Sequence, residues 1–483
     1  MSADSNNIYF FDAAAALNEA KKRNRIKTSN PHIDALQICY YDGAPIADAP
    51  ENCICVPLEK VYDYFLTTRN RFPEEISFGG KEFPDTVKQQ LISGMQQVMQ
   101  AVNQERKKQY DALVRETRAL RPDFSEGLRV FFLTSRETAV MQHVSKNIAD
   151  ALSKLGCQVC VSIEANEMEY LHGVHHLVEY LNFRPNVTFN INHLNNGHLH
   201  DEVFNFIWFQ DPMASIKDPS PVNLRKRDTV YSLVGMIDTL LEAKGIPFSR
   251  QSFCINQSLF HTDDTVHRER KIVFIGSSYA HFIDANVMNS GIVQEAVKLL
   301  DRGEAFIPKT IAKFAKKYAL DTQYLHNTFI PFIVRDVTVL WLHNVHEQTG
   351  IPVEIYGQGW EQYESLRPYC KGPLPYDRVA DAYNRAEYTL VPHSLYVLQQ
   401  RTLEAAACGC RPIVYDCRYN DTPPYYEEAL EYFRTVGDIV RIIRQNQSKE
   451  LNRLVDENSY EHLARRIVQS VESALSQPTD ARD

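Results

Sequence analysis

The sequence predicts an α/β protein in which parallel sheets are wrapped by helices, and three observations carry that prediction. Between Pro352 and Tyr415, apolar strand runs (Pro352–Tyr356, Tyr388–Val391, Pro412–Tyr415) alternate with helical patterns (Tyr376–Arg385, Gln400–Cys408). That alternation is the grammar of a parallel sheet. The same alternation starts at Gly127 and continues to about residue 266, which calls for a second such sheet. Residues before 125 follow neither pattern and read as a mostly helical extension. The expected division is an accessory extension at 1–125, a βαβ domain at 126–266, a second at 267–458, and a terminal helix and tail at 459–483.

The elements follow in order. A short amphipathic helix at Ala13–Arg23 precedes a partly β stretch, Leu36–Val56, and a helix at Leu58–Arg69. A long polar helix, Asp85–Leu120, carries Val87, Leu91, Met95, Val98 and Val102 at helical spacing, and Arg121–Gly127 is a linker broken by Pro122 and Gly127. Strand Leu128–Leu133, helix Glu137–Leu155, strand Gln158–Ile163, a helix near Glu167–Leu181 and strand Val187–Ile191 open the second segment. Phe204–Phe209, Thr229–Val234 and a helix ending at Lys244-Gly245 continue it, with strand-end loops at Thr134–Arg136, Asn190–His193 and Gln210-Asp211. The third segment starts with strand Lys271–Gly276, carries helical insertions at Glu304–Lys317 and Thr322–Gln348, and resumes at Val353. After Thr422-Pro-Pro424 come a helix at Tyr425–Tyr432, a short strand at Phe433–Val436, a helix at Asp438–Gln445 and the terminal helix Tyr460–Leu475.

Bulk properties narrow the class. With 44% hydrophobic and 11% aromatic residues over 483 positions, the chain has ample material for two or three cores. A net charge of −9 argues against a general nucleic-acid binder. Ten cysteines in so long a chain are no disulfide framework, and Cys157-Gln-Val-Cys160 has no second pair at zinc spacing. They read as buried thiols in a reducing compartment. The opening residues lack the basic–apolar–small pattern of a signal peptide, and no apolar run is long enough to span a membrane. A cytoplasmic, enzyme-like chain is expected.

Ligands of parallel sheets bind beyond the carboxyl ends of the strands. The loops at Tyr356–Trp360, Pro392–Gln399 and around Gly372 should therefore meet at one crevice. The first turn of the second helix, Gln399-Gln400-Arg401-Thr402, offers free backbone N–H groups, a hydroxyl and a guanidinium at the positive end of the helix dipole, a fit for a diphosphate. Glu404 is the only acid on that otherwise small, apolar helix, and a vicinal diol is a natural partner; the plainer alternative is that Arg401 and Glu404 pair with each other at i, i+3. After strand Lys271–Gly276, Gly276 permits close backbone approach, and Ser277 and Ser278 can donate to phosphate. His281 either touches a leaving diphosphate or an acceptor, or is structural. Asp211, at a strand end before Pro212, is either a general base or acceptor ligand, or a turn cap. His193, His198, His200 and Asp201 cluster, yet without helical ligand spacing and around Asn195-Asn-Gly197, so a solvated loop is the reading. Lys217, Arg225, Lys226 and Arg227 form a basic loop that steers an anionic acceptor or is plain surface.

The run Arg401-Thr-Leu-Glu-Ala-Ala-Ala-Cys-Gly-Cys-Arg-Pro-Ile-Val414 resembles the donor-site signature of GT-B glycosyltransferases, E-A-x-A-x-G-x-P-V/I. Lys271–Tyr279, Ile355–Trp360 and Phe206–Pro212 resemble the corresponding segments of the CgeB-like branch. The resemblance covers roughly Gly127 to Tyr460 and implies two Rossmann-like domains facing a cleft, with a terminal helix crossing back. It implies that Glu404 holds a nucleotide ribose and that Gly372, Pro373 and Leu374 read the base edge. Tyr356 or Tyr376 would pack on the ring, with Gly357 in the same loop. Ser277, Ser278, Gln400, Arg401, Thr402 and the helix N-terminus would take the diphosphate, with no cofactor beyond the donor. One position departs from the pattern: the second glutamate of retaining members, eight residues before Glu404, is Tyr396 here. No Asp-x-Asp occurs, which fits a metal-independent transferase. The expected donor is a UDP-sugar, or a GDP-sugar, and the acceptor a protein, a glycan or a small molecule; the extension would serve as an acceptor module, a brace or a homodimer arm. The rival readings are a nucleotide-sugar epimerase or phosphorylase, which releases sugar without acceptor or demands phosphate, and a non-catalytic scaffold that binds nucleotide without turnover or not at all.

Overall fold

Strands form where β-branched and aromatic residues run together, and they assemble into three sheets whose resolved pairings are all parallel. The computed structural model describes residues 7–23, 25, 36–134, 139–163 and 174–476. Contacts divide the chain into two units, Met1–Trp208 with Val222–Thr229, and Phe209–Pro221 with Val230–Asp483. No described helix is long and apolar enough to cross a membrane.

The first sheet, ordered β3-β2-β1-β4, consists of β1 (Ile8–Phe10), β2 (Cys39–Tyr41), β3 (Cys53–Cys55) and β4 (Glu75–Ser77). Alternate side chains face opposite ways along a strand. Tyr9, Phe11 and Tyr40 accordingly pack with Phe65, Met95 and Val102, while Ile8, Phe10 and Cys39 pack with Ala16 and Ala20. The helix Ala13–Lys22 and the 35-residue helix Asp85–Ala119 are the ones predicted, within one residue at each end. Helix thus dominates the extension, around a sheet wider than the partly β stretch read from sequence.

The second sheet has the order β10-β9-β8-β7-β5-β6. Its strands are β5 (Arg129–Thr134), β6 (Gln158–Ile163), β7 (Val187–Ile191), β8 (Phe204–Phe209), β9 (Asp228–Ser232) and β10 (Ser249–Arg250). Residues 135–136 of the Thr134–Arg136 loop and the start of the helix near Glu167 lie outside the described residues. The turn around Asn195 is not simply solvated. Asn205 Oδ1 accepts from Thr188 Oγ1 at 2.9 Å and from Asn190 Nδ2 at 2.6 Å, and Asn195 Nδ2 donates to Asn190 Oδ1 at 3.0 Å. Buried amides are tolerated because they satisfy one another. Arg225 is likewise structural: it pairs with Asp228 at 2.7 Å, while Arg227 lies 4.4 Å over the Phe204 ring.

The third sheet, ordered β13-β12-β11-β14-β15-β16, lies in the second unit. It comprises β11 (Glu269–Ile275), β12 (Val353–Tyr356), β13 (Cys370–Gly372), β14 (Ala386–Val391), β15 (Arg411–Tyr415) and β16 (Glu431–Phe433). Its central strands carry buried apolar stretches such as Ile272–Phe274 and Ile413–Tyr415, as expected of a sheet covered on both faces. Two expectations fail after Pro424. Tyr425–Tyr432 is no helix, since Tyr426 takes a left-handed φ of 48° and the chain turns there. The strand also comes earlier, at Glu431–Phe433, because Thr435 caps the helix Val436–Gln445 by accepting from the Asp438 amide at 3.3 Å. The insertion Thr322–Gln348 is helical throughout but carries a π-helical turn at Leu325–Phe329, just before Pro331, whose missing N–H cannot continue the ordinary ladder.

Candidate functional site

In the third sheet β11 pairs with β12 on one side and β14 on the other, so the strand order reverses there and a crevice opens beyond the carboxyl ends. The loops after β11 and β12 interlock. Ser278 N donates to Gln358 O at 2.9 Å, Gln358 N to Ser277 Oγ at 3.2 Å, and Trp360 Nε1 to Gly276 O at 2.7 Å. Gly357 N donates to Gly372 O at 2.9 Å, drawing in the loop that begins Gly372-Pro373-Leu374. Gly357 sits at φ 139°, and a Cβ there would lie 2.1 Å from Gly276 O, so only glycine allows this approach.

Beneath the loops lies Asp336, fully buried on the helix Ile330–Thr349. It accepts from Ser278 Oγ at 2.5 Å, Tyr279 N at 3.0 Å and Tyr363 OH at 2.8 Å. The Ser278 hydroxyl is therefore committed to the fold, and Ser277 Oγ already accepts one bond. The neighbouring Arg335 lies 3.8 Å over the Tyr279 ring and donates from Nη1 to Ser277 O at 3.3 Å.

Helix Gln400–Ala407 supplies the other wall. Leu403, Ala405 and Ala406 are buried and let it press against the sheet. Arg401 Nη1 donates to Glu404 Oε2 at 2.6 Å, so the i, i+3 pair exists. Glu404 is buried, which pushes its carboxyl above the usual range while Arg401 and Gln400 pull it back. Thr402 Oγ1 accepts from Gln399 N at 3.4 Å and donates to Val397 O at 3.5 Å, which closes the start of the helix. Tyr376 is exposed, edge-on to Phe260, and close enough to Glu404 and Arg401 to feel both charges; Tyr356 instead donates to Glu354 at 2.9 Å.

The loop between β14 and that helix is set by His393. Its Nδ1 accepts from the amides of Leu395 at 3.3 Å and Tyr396 at 3.5 Å, and its ring lies 4.3 Å from that of Tyr396. Asp421 holds the same loop through Val397 N at 2.8 Å and is itself anchored by Arg250 at 2.8 Å. The Tyr396 phenol is pushed up to about 12, by burial first and then by Tyr279 and Asp211, which places Asp211 near it in the same unit. His281 is exposed beside Phe282, with ring centres 3.9 Å apart. The structure thus gathers Gly276, Ser277, Ser278, Gly357 and Gly372 into one knot, and sets Arg401, Glu404 and Tyr376 together beside it. Sequence reading missed Arg335, Asp336, His393 and Asp421. The available signal was the adjacent charges Arg335-Asp336 inside the apolar run Ile330–Leu342.

Burial drops His393 from 6.5 to about 3. Above the unfolded value both states keep the ring neutral. As pH falls the unfolded chain takes up a proton that the folded chain refuses, so stability is lost from about 6.5 down to about 3. His393→Gln should flatten the stability–pH curve between pH 4 and 6.5 by up to ~1.4 kcal/mol per pH unit relative to wild type. Equal slopes in urea titrations would refute the depressed histidine.

Residues 335–474 match the family described as Glycosyl transferase-like. Among solved structures, AviGT4, a glycosyltransferase involved in avilamycin A biosynthesis, is 13% identical with a TM-score of 0.42, covering 72% of this chain and 98% of its own. A glycosyltransferase from Rickettsia africae is 8% identical with a TM-score of 0.44, covering 72% of this chain and 99% of its own. HepE of Anabaena, solved with UDP-glucose, is 9% identical with a TM-score of 0.37, covering 72% of this chain and 99% of its own. No curated protein matches the sequence.

Proposed function

We propose, from the premise that residues 335–474 form a glycosyl transferase-like domain, that this chain is a GT-B glycosyltransferase of the CgeB-like kind. It would move a sugar from a nucleoside diphosphate sugar, a UDP-sugar first and a GDP-sugar second, to a protein, glycan or small-molecule acceptor without a metal. The observation that supports this reading is the position of Arg401 and Glu404 in the first turns of the helix after β14, at the reversal of strand order. On arrival of a nucleotide, Glu404 turns to the ribose diol and Arg401 to the diphosphate. Gln400 and the backbone N–H groups of Gln400 and Arg401, in the first turn, face the same anion, while the Thr402 amide is held by the Gln399 side chain. Gly372, Pro373 and Leu374 line the base, with Tyr376 against its ring.

Catalysis then consists of fixed donors stabilising the charge that grows on the leaving diphosphate. Asp211 is the candidate base for an acceptor hydroxyl if the reaction inverts, and His281 borders the leaving group. The test is a thermal shift with UDP, GDP, dTDP, CMP and NAD on wild type and Glu404→Ala. A nucleotide at 100 times its Kd stabilises by about 2.7 kcal/mol. One nucleoside diphosphate should shift wild type and lose most of that shift in the variant. Silence from all of them would remove the nucleotide-sugar reading.

A further inference from the structure

Among the described residues, no carboxylate forms a salt bridge with Arg335. It stands on helix Ile330–Thr349, inside an otherwise apolar stretch, and reaches the loop after β11. Its guanidinium lies 3.8 Å over Tyr279 and 5.9 Å from Phe274, and a Cβ added to Gly276 would come within 3.0 Å of its Nη1. One bond, to Ser277 O at 3.3 Å, is all the hydrogen bonding it makes to the described residues; its Nε is buried with no acceptor among them. The adjacent Asp336 attracts it through charge but makes no hydrogen bond to it, since that carboxylate accepts from Ser278, Tyr279 and Tyr363.

A second guanidinium lies close: burial lowers the Arg335 guanidinium from its ordinary value, and the charge of Arg401 adds to that. A half-buried, stacked cation with spare donors, set near a second guanidinium, is better satisfied when an anion completes it. Arginine's planar fork suits two phosphate oxygens better than one point contact.

Resting on the nucleotide-sugar reading, we infer that Arg335 is a second diphosphate-binding guanidinium, acting with Arg401 from the opposite wall of the crevice. Arg335, held against the Gly276–Tyr279 loop by Ser277 O and the Tyr279 ring, does the work otherwise expected of that loop's serine hydroxyls, one of which Asp336 consumes. The substrate feature it reads is the diphosphate, not the base or the ribose.

The experiment is calorimetric titration of the full chain with UDP, UMP and uridine, using wild type, Arg335→Gln and Arg335→Lys, each checked by circular dichroism. UDP affinity should fall at least tenfold in Arg335→Gln and by an intermediate factor in Arg335→Lys, UMP less, and uridine by under twofold. A role confined to packing Tyr279 would weaken all three ligands together. If Arg335→Gln fails to fold, Arg335→Lys keeps the charge and decides the matter. UDP affinity within twofold of wild type, or equal losses for UDP and uridine, overturns the inference while leaving the nucleotide reading in place. If wild type binds no nucleoside diphosphate (GDP and dTDP included), that reading falls and this inference with it.

Discussion

Gly357→Ala is expected to cost the second unit about 3–5 kcal/mol, the range reserved for named severe mechanisms. Two terms add. The backbone at φ 139° is one that L-residues rarely adopt, worth ~1–3 kcal/mol of strain. The new Cβ also meets Gly276 O at 2.1 Å and Gly276 C at 2.5 Å, both backbone atoms, so no side chain can swing aside. Relief requires the β11 and β12 loops to part, which breaks the bonds from Trp360 to Gly276 O and from Gln358 to Ser277. In a unit of this size the loss corresponds to a Tm drop of roughly 10 °C. Gly350→Ala separates the terms: that residue is also left-handed, at φ 68°, but its Cβ would meet nothing within 4 Å, so it should cost only ~1 kcal/mol. Denaturant midpoints showing the two variants equally stable would sink the interlocked-loop account.

The same contrast explains what the sequence could reveal. Gly357 was legible as part of Gly-Gln-Gly because a strand run ended there; that its Cβ position is occupied by Gly276 O was not, since the two residues are far apart in sequence. Local grammar located β11, β12, β14 and β15 of the third sheet and the helix Gln400–Ala407 to within two residues, but not β13 or β16. It failed where local signal is weak. Strands β1 to β4 are three residues each, too short for any period to show. The turn at Tyr426 carries no glycine to announce it. The helix Gly291–Asp301 begins and ends at the breakers Gly291 and Gly303, yet went unread beside the loop motif before it. Arg335 and Asp336 were hidden differently: on a helix buried on most sides their charges look like a lapse in an apolar pattern. Their meaning lies in contacts with Ser277, Ser278 and Tyr279, which only the fold brings near.

Asp336→Ala should be the other severe variant, at about 3–5 kcal/mol, because it strands three donors at once in a dry site. Ser278 Oγ, Tyr279 N and Tyr363 OH all end on this carboxylate. Ser278→Ala alone removes one donor and should cost ~1–2 kcal/mol, and the double variant should cost less than the sum, since the donor lost in one change is already stranded in the other. Asp336→Asn adds a signed pH test. Burial raises the Asp336 carboxyl, with Ser278, the Tyr279 amide and Tyr363 pulling it back. A raised folded value means the folded chain holds this proton more tightly. Its contribution is therefore full below about 4 and fades as pH climbs through the folded value. Asparagine carries no such proton, so the deficit of Asp336→Asn against wild type should be largest near pH 4 and shrink towards pH 7. A deficit that grows with pH would show instead that the three donors stabilise the ion by more than burial costs it, and would leave Asp336 an anchor for charge, not for a shared proton.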